Sequence, residues 1–432
     1  MNSINDLQQK ILVKIENINV NNYYYFNPVN YSIGCGLLKF FKKKKDFFFI
    51  IKIFFKELIK VFLINDYELI KNHNNKLFKK VIFTWGDQSN IDQNTYQDKY
   101  FRKKSSDDLD ILWVVLYRGN YEKKTLSNFE NVYFIVEKKK EFLSKTLSFM
   151  KFFFNFIKTK NKSYLNFLFY MTWHNIFRIK LKKIYENILH EKIDYLMIPY
   201  EGQPFQSELI NQVKKISKNV TVLGFIHSYP SFPTHLLKKQ SYPDKLLLSS
   251  EDQLKFFSKK VSIENKLKLI ESLRFIKKDK TSMLNKIYLP IDFYSKKKII
   301  NSLDFLISKI SINYNFSFFE VCNHPVSKYS IKHIKLMQKI KSLIKKTKPN
   351  QNQNQFSIFI GSTGAVLEAL ELGVKVFHIT EDPVLEVYSD FCWDNIEMNQ
   401  LSENIFSYNL KEKNKSIIFG SEKSKFHECF ED

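Results

Sequence analysis

Residues 358–380 read IFIGSTGAVLEALELGVKVFHIT. An apolar run ends at Gly361-Ser362-Thr363-Gly364, a short helical pattern closes at Gly373, and a second β-rich run fills 374–379. Strand, tight turn, helix and strand in such close succession form the repeating unit of a parallel sheet, whose neighbouring strands need a crossover between them. Glycine is scarce in this chain, 10 in 432 residues, so two within four positions ask for a reason. A turn that opens a helix presents free backbone N–H groups at the helix's positive end, and the hydroxyls of Ser362 and Thr363 add donors there. Glycines at 361 and 364 let a backbone approach an anion closely, or adopt positive φ. The plainer alternative is a capped βα turn.

The same alternation runs through most of the chain. Strands are expected at 81–85, 111–117, 132–136, 195–200, 220–226, 245–249, 286–290, 316–321, 356–360 and 374–379. Helical stretches fall between them at 141–157, 164–190, 204–217, 294–309 and 330–346. The class is α/β, and at this length two doubly wound Rossmann-like domains are expected. We expect an N-terminal domain over 1–226, a linker at 227–244 where three of the ten prolines gather, a C-terminal domain over 245–400, and a tail over 401–432 packing back on the N-terminal half. The polar run 345–355 reads as a solvated connection.

A formal charge of +24 suits an anionic partner, although a chain so rich in Lys, Asn, Ile and Phe also carries the stamp of nucleotide bias. The four cysteines form no CxxC pair, so neither a zinc site nor a disulfide framework is expected, and a reducing cytoplasm is. The first 17 residues lack the basic-then-apolar plan of a secretory signal. FFFIIKIFFKELIKVFLI, 47–64, is broken by Lys52, Lys56, Glu57 and Lys60 at helical spacing and follows four lysines at 42–45. It reads as an amphipathic helix, and residues 40–64 are a candidate surface for anionic lipid.

Polar groups recur at the carboxyl ends of the expected strands, where open α/β sheets bind ligands. Glu201 follows the strand 195–200 in YEGQP, placed for a general base or for a helix cap. His227 follows 220–226, and His324-Pro325 follows 316–321. Glu368, one turn into the helix after Gly364, is placed to accept from ribose hydroxyls. Asp87 is a weaker candidate of the same kind.

In that order the motifs resemble those of GT-B glycosyltransferases, in particular bacterial surface-carbohydrate and sialyltransferase-like enzymes that use CMP-activated sugars. YEGQ is similar to the acidic-Gly motif that carries the base, although it has one acid where the family has two. His324-Pro325 matches the His-Pro motif, and Ser362-Thr363 the Ser-Ser/Thr motif. The resemblance covers mainly 195–380. It implies two Rossmann-like domains facing across a cleft and an inverting, metal-independent transfer. The donor would be a CMP-sugar carrying a nonulosonic acid such as sialic acid or Kdo, and no cofactor or metal is expected. Glu201 would be the base. His324, Pro325, Gly361, Ser362, Thr363, Gly364 and Glu368 would hold the nucleotide and its phosphate. The acceptor would be a glycan or lipid-linked glycan of the cell surface, as in lipopolysaccharide or capsule. The enzyme would then sit in the cytoplasm, peripheral on the inner face of the membrane. The layout also resembles CDP-glycerol or CDP-ribitol polyol-phosphate transferases, in which His227 would be the base. A third reading is a non-catalytic basic module that binds polyanions. No nucleic-acid motif is present, and nucleic acid is not an expected partner.

Overall fold

The computed structural model describes residues 3–16, 55, 58–72, 76–92, 95–138, 145–147, 149–150, 154, 173–233, 242–261, 266–311, 314–324, 330–347, 355–413, 415–420 and 426–430. The chain builds two large sheets. The first holds β1 (Asp66–Ile70), β2 (Lys80–Asp87), β5 (Ile111–Arg118), β6 (Val132–Lys138), β7 (Tyr195–Pro199), β8 (Thr221–Phe225), β9 (Lys245–Leu248) and β10 (Leu267–Leu269). β3 (Ile91–Asp92) and β4 (Thr95–Tyr96) form a separate ribbon. The second sheet holds β11 (Lys286–Tyr288), β12 (Glu320–Cys322), β13 (Phe356–Ile360), β14 (Lys375–Ile379), β15 (Ile396–Ser402) and β16 (Ile405–Leu410).

The first sheet runs β1-β6-β5-β2-β7-β8-β9-β10, parallel throughout except for β1 on β6. Outward from β2 the chain first winds one way, through β5 and β6. It then returns to the other flank of β2 with β7 and continues to β10. That is the doubly wound Rossmann order, and its switch point lies between β2 and β7. The second sheet runs β12-β11-β13-β14-β16-β15, with β14, β16 and β15 antiparallel. Its parallel part switches direction between β11 and β13.

Burial explains the strand sequences. In β5, ILWVVLYR, all but the final arginine is buried, as a central parallel strand covered on both faces must be. Leu112, Val114 and Leu116 join Val81 and Phe83 on the face covered by the helices Trp173–Tyr185 and Pro204–Ile216. Ile111, Trp113, Val115 and Tyr117 face the other way, onto Tyr96, Phe101, Phe129 and the rings of Phe426 and Phe430. The first of these clusters continues without a break into Val366, Leu367, Tyr388 and Trp393 of the second half. One apolar body therefore joins the two sheets. The far face of the second sheet packs against the helices Lys296–Ile310 and Ile331–Ile344.

Several expectations change. β9 and β10, beyond the expected linker at 227–244, are hydrogen-bonded into the first sheet, so the chain passes between the sheets in 270–285. The chain turns back after β8 without leaving the first sheet, since β9 pairs parallel with β8. β15 and β16 close the second sheet, so it extends to residue 410. Past them, Phe426 and Phe430 lie on the first sheet, 5.9 Å from Phe101 and 5.8 Å from Tyr195 between ring centroids. The N-terminal helix Ile4–Glu16 lies on the second half: Gln8 donates to the Val384 carbonyl at 2.9 Å and accepts from the Ser389 hydroxyl at 2.6 Å. Of the expected strand 316–321 only its end enters the sheet, while Phe316 and Phe319 turn their rings onto Phe356. Most of the helix expected over 141–157, the early part of 164–190 and most of 40–64 lie outside the described residues; 145–147, 149–150 and 154 are helical. In what is described of the last, Val61 and Ile64 are buried while Phe55, Ile59 and Leu63 are exposed. Among the described residues no helix is long and apolar enough to cross a membrane.

Candidate functional site

At the switch point of the first sheet, the chain leaves β7 through Tyr200, Glu201 and Gly202. Gly202, at φ +62°, turns it into the helix that begins at Pro204. Gln206 fixes this turn: its Oε1 accepts from the N–H groups of Glu201 (2.9 Å) and Gln203 (3.1 Å), and its amide donates to the Pro199 carbonyl. Both helix-end donors are thereby satisfied, and the Glu201 backbone is held in one position. The Glu201 side chain is 30% exposed; Gln203 donates to one of its oxygens, and the other lies 3.1 Å from Nε2 of His227.

His227 follows β8, and its side chain is 2% exposed. Tyr100 meets its ring edge-on at 4.6 Å and Trp85, at the end of β2, stands at 6.0 Å. Tyr100 is itself anchored: Asp98 accepts from its N–H and that of Phe101, each at 2.7 Å, and from the hydroxyls of Thr84 and Tyr96. Burial lowers the His227 pKa below its usual value, and the Arg274 charge adds to this, while the bond to Glu201 opposes it. The ring is therefore neutral near pH 7, with Nε2–H donating to Glu201. Nδ1 is enclosed and, among the described residues, has no partner. Burial and the Glu201 charge push the Tyr100 phenol up to about 12.

The second sheet brings the Gly-Ser-Thr-Gly turn to its own switch point. Gly361 has φ +66°, and a Cβ there would meet Pro290 at 2.9 Å, so this glycine is required twice over. Gly364 is different: it has ordinary helical angles at the start of Ala365–Glu371, and among the described residues an added Cβ would meet only the Tyr229 carbonyl, at 4.0 Å. Thr363 Oγ1 accepts weakly from the Ala365 N–H, at 3.4 Å. His378, on β14, supports the turn from beneath. Its Nε2 donates to the Gly361 carbonyl at 2.8 Å, and its Nδ1 accepts from the Tyr408 hydroxyl at 2.9 Å.

The two carboxyl edges meet directly. The Tyr388 hydroxyl lies 2.9 Å from the Thr363 carbonyl and 3.2 Å from the Tyr229 carbonyl, its proton shared between a turn of each sheet. Arg274, on the crossing between the sheets, donates to the His227 carbonyl at 3.1 Å. His324 follows β12 and is half-buried; burial lowers its pKa, and the nearby His333 and Arg274 add to this. One guanidinium thus acts on a histidine from each half. Glu201, His227 and the turn 361–364 are brought to one junction, with His324 in electrostatic reach of it. Glu368 is buried and paired with Lys278 at 3.2 Å, so its carboxylate already has a cationic partner. Pro325 lies outside the described residues. Asp87 caps the turn Gln88–Asn90 and pairs with Lys99 at the surface.

Sequence reasoning did not select Arg274, Gln206, Tyr100 or His378. A signal for the first was present: arginine occurs four times against 64 lysines, and a guanidinium written into so lysine-biased a chain stands out. Among the described residues no group of three or more His, Cys, Asp or Glu side chains is arranged to hold a metal ion. Taken together, the chain is a mixed α/β protein of two parallel-dominated sheets whose carboxyl edges converge on a carboxylate–imidazole pair and an arginine. Compared with protein-family models, curated proteins and solved structures, it matches none.

Proposed function

We propose that this junction is the active site of an inverting, metal-independent glycosyltransferase of the GT-B type. It would move a sugar, a nonulosonic acid such as sialic acid or Kdo, from a CMP-sugar to a surface glycan or lipid-linked glycan. The observation that carries the reading is the Glu201–His227 contact at the carboxyl edge of a Rossmann-ordered sheet. Of the two groups, Glu201 is the one open to solvent, so Glu201 is the base and His227 positions it. In the reaction the Glu201 carboxylate takes the acceptor hydroxyl proton, the oxygen attacks the anomeric carbon, and the bond to the donor phosphate breaks with inversion. His324 and the Gly361–Gly364 turn receive the departing CMP phosphate. Exposed Phe55, Ile59 and Leu63, four residues apart, support a seat on the anionic inner face of the membrane, where a lipid-linked acceptor is found.

The second reading, polyol-phosphate transfer from CDP-glycerol or CDP-ribitol, draws on the same contact. A carboxylate on one imidazole nitrogen orients the other for proton abstraction. The enclosure of His227 Nδ1 counts against it. A thermal-shift panel of CMP, CDP, UDP and GDP tests both. Stabilisation by cytidine nucleotides alone is expected, and indifference to all four refutes any such transferase. Pelleting with anionic vesicles at low and high salt tests the membrane seat.

A further inference from the structure

Arg274 lies five residues past β10, on the stretch that carries the chain from one sheet to the other. Its guanidinium carbon stands 5.3 Å from the ring centroids of both Tyr100 and Phe275. Those rings fix the side chain without neutralising it. A guanidinium carries five N–H donors. Among the described residues the His227 carbonyl is the acceptor it reaches, and no carboxylate stands within ion-pairing distance. Lys278, four residues on, shows the contrast, since its charge is met by Glu368 at 3.2 Å. A positioned, uncompensated cation thus sits where the carboxyl edges of two α/β sheets meet, which is where such folds place their ligands. A planar fork of donors in that setting fits two oxygens of one group.

We propose that Arg274 is an oxyanion-binding residue that grips a phosphate or carboxylate of the substrate through paired N–H···O bonds. The proposal deepens the transferase reading and rests on it for the nature of the substrate. A CMP-nonulosonate offers both groups, a phosphate and a carboxylate, and the experiment separates them.

Calorimetric titration of the full chain with inorganic pyrophosphate probes the first group, and titration with free N-acetylneuraminic acid the second. Wild-type protein is expected to bind at least one saturably, and the one it binds names the group. Arg274→Gln is expected to weaken that binding by about tenfold or more. Arg274→Lys, which keeps the charge and the aliphatic stem but loses the fork, is expected to fall between, and it is read alone if the glutamine variant does not fold. Failure of the wild type to bind either ligand overturns the proposal, as does unchanged affinity in the variants. A lowered melting temperature with unchanged affinity would mark Arg274 as a tether for His227 and would overturn it too. Arg274-dependent binding of pyrophosphate with no gain from CMP would leave the oxyanion site standing and remove the nucleotide-sugar reading.

Discussion

Glu201 Oε1 and His227 Nε2 stand 3.1 Å apart, joining two residues that follow neighbouring strands of one sheet. The contact makes two candidate bases into one unit with unequal access: a carboxylate partly in solvent, and an imidazole closed off behind it. Replacing Glu201 by Gln keeps the shape and removes the basic group. If the junction is the proposed transferase site, this should lower kcat for sugar transfer by about 10²–10⁴-fold, with the melting temperature little changed. His227→Gln should cost far less, about tenfold, and shift the pH–rate profile. Loss confined to the His227 variant would reverse the two roles.

Gly361 and Gly373 provide a matched pair. Both have positive φ, +66° and +72°, but a Cβ at 361 meets Pro290 whereas at 373 none of the described residues lies within 4 Å. Gly373→Ala should therefore cost only the left-handed backbone penalty, about 1 kcal/mol. Gly361→Ala should cost more, about 2–3 kcal/mol, and displace the Ser362–Gly364 turn. Denaturant unfolding of the two variants gives the comparison. Equal costs would show that Pro290 yields.

His378 links stability to pH. Burial lowers its pKa to about 4 from an ordinary 6.5, so between those values the unfolded chain holds a proton that the folded one refuses. Stability from this residue thus falls on acidification from pH 6.5 toward 4, by about 1.4 kcal/mol per pH unit, and is unaffected above that range. A charged ring would put a proton on Nδ1, against the Tyr408 hydroxyl it now accepts from. His378→Gln should flatten the difference between unfolding curves at pH 7 and pH 5, and an unchanged slope would place the acid sensitivity elsewhere.

Phe426 completes the packing on one face of the first sheet, 5% exposed against Phe101 and Phe430. Phe426→Ala should destabilise the fold by about 3–5 kcal/mol, read by chemical unfolding. A cost below about 1 kcal/mol would mean that this segment only rests there.

The ten strands expected from the sequence lie at or near ladder positions because their residues are apolar on both faces, which is the mark of a covered parallel sheet. β1, β15 and β16 did not show. They are antiparallel strands at or near a sheet edge, and their polar residues face water (IEMNQLS in β15 is mostly exposed or half-exposed), so the signal that marks the central strands is missing. β10, LKL between Lys266 and Ile270, is too short to read. The domain boundary was misplaced for a related reason. Prolines mark where a chain bends, and the bend after β8 is not where it changes sheets. At the site, residues at strand ends were legible because topology puts strand ends together. Arg274, on the crossing, and His378, pointing back from inside β14, are placed by tertiary packing that no local spacing encodes.

The helix Ile4–Glu16 and the segment Phe426–Phe430 each pack on the opposite half. The helix finds its seat only when the stretch around Val384 and Ser389, far later in the sequence, has emerged. The first sheet, though its last strand is complete by residue 269, lacks part of the cover of one face until Phe426 and Phe430 follow. Each half therefore waits for packing supplied by a distant segment, and part of an apolar face stays exposed while translation continues. Cutting the gene at the 270–285 crossing should accordingly yield two insoluble pieces, and co-expression should rescue them.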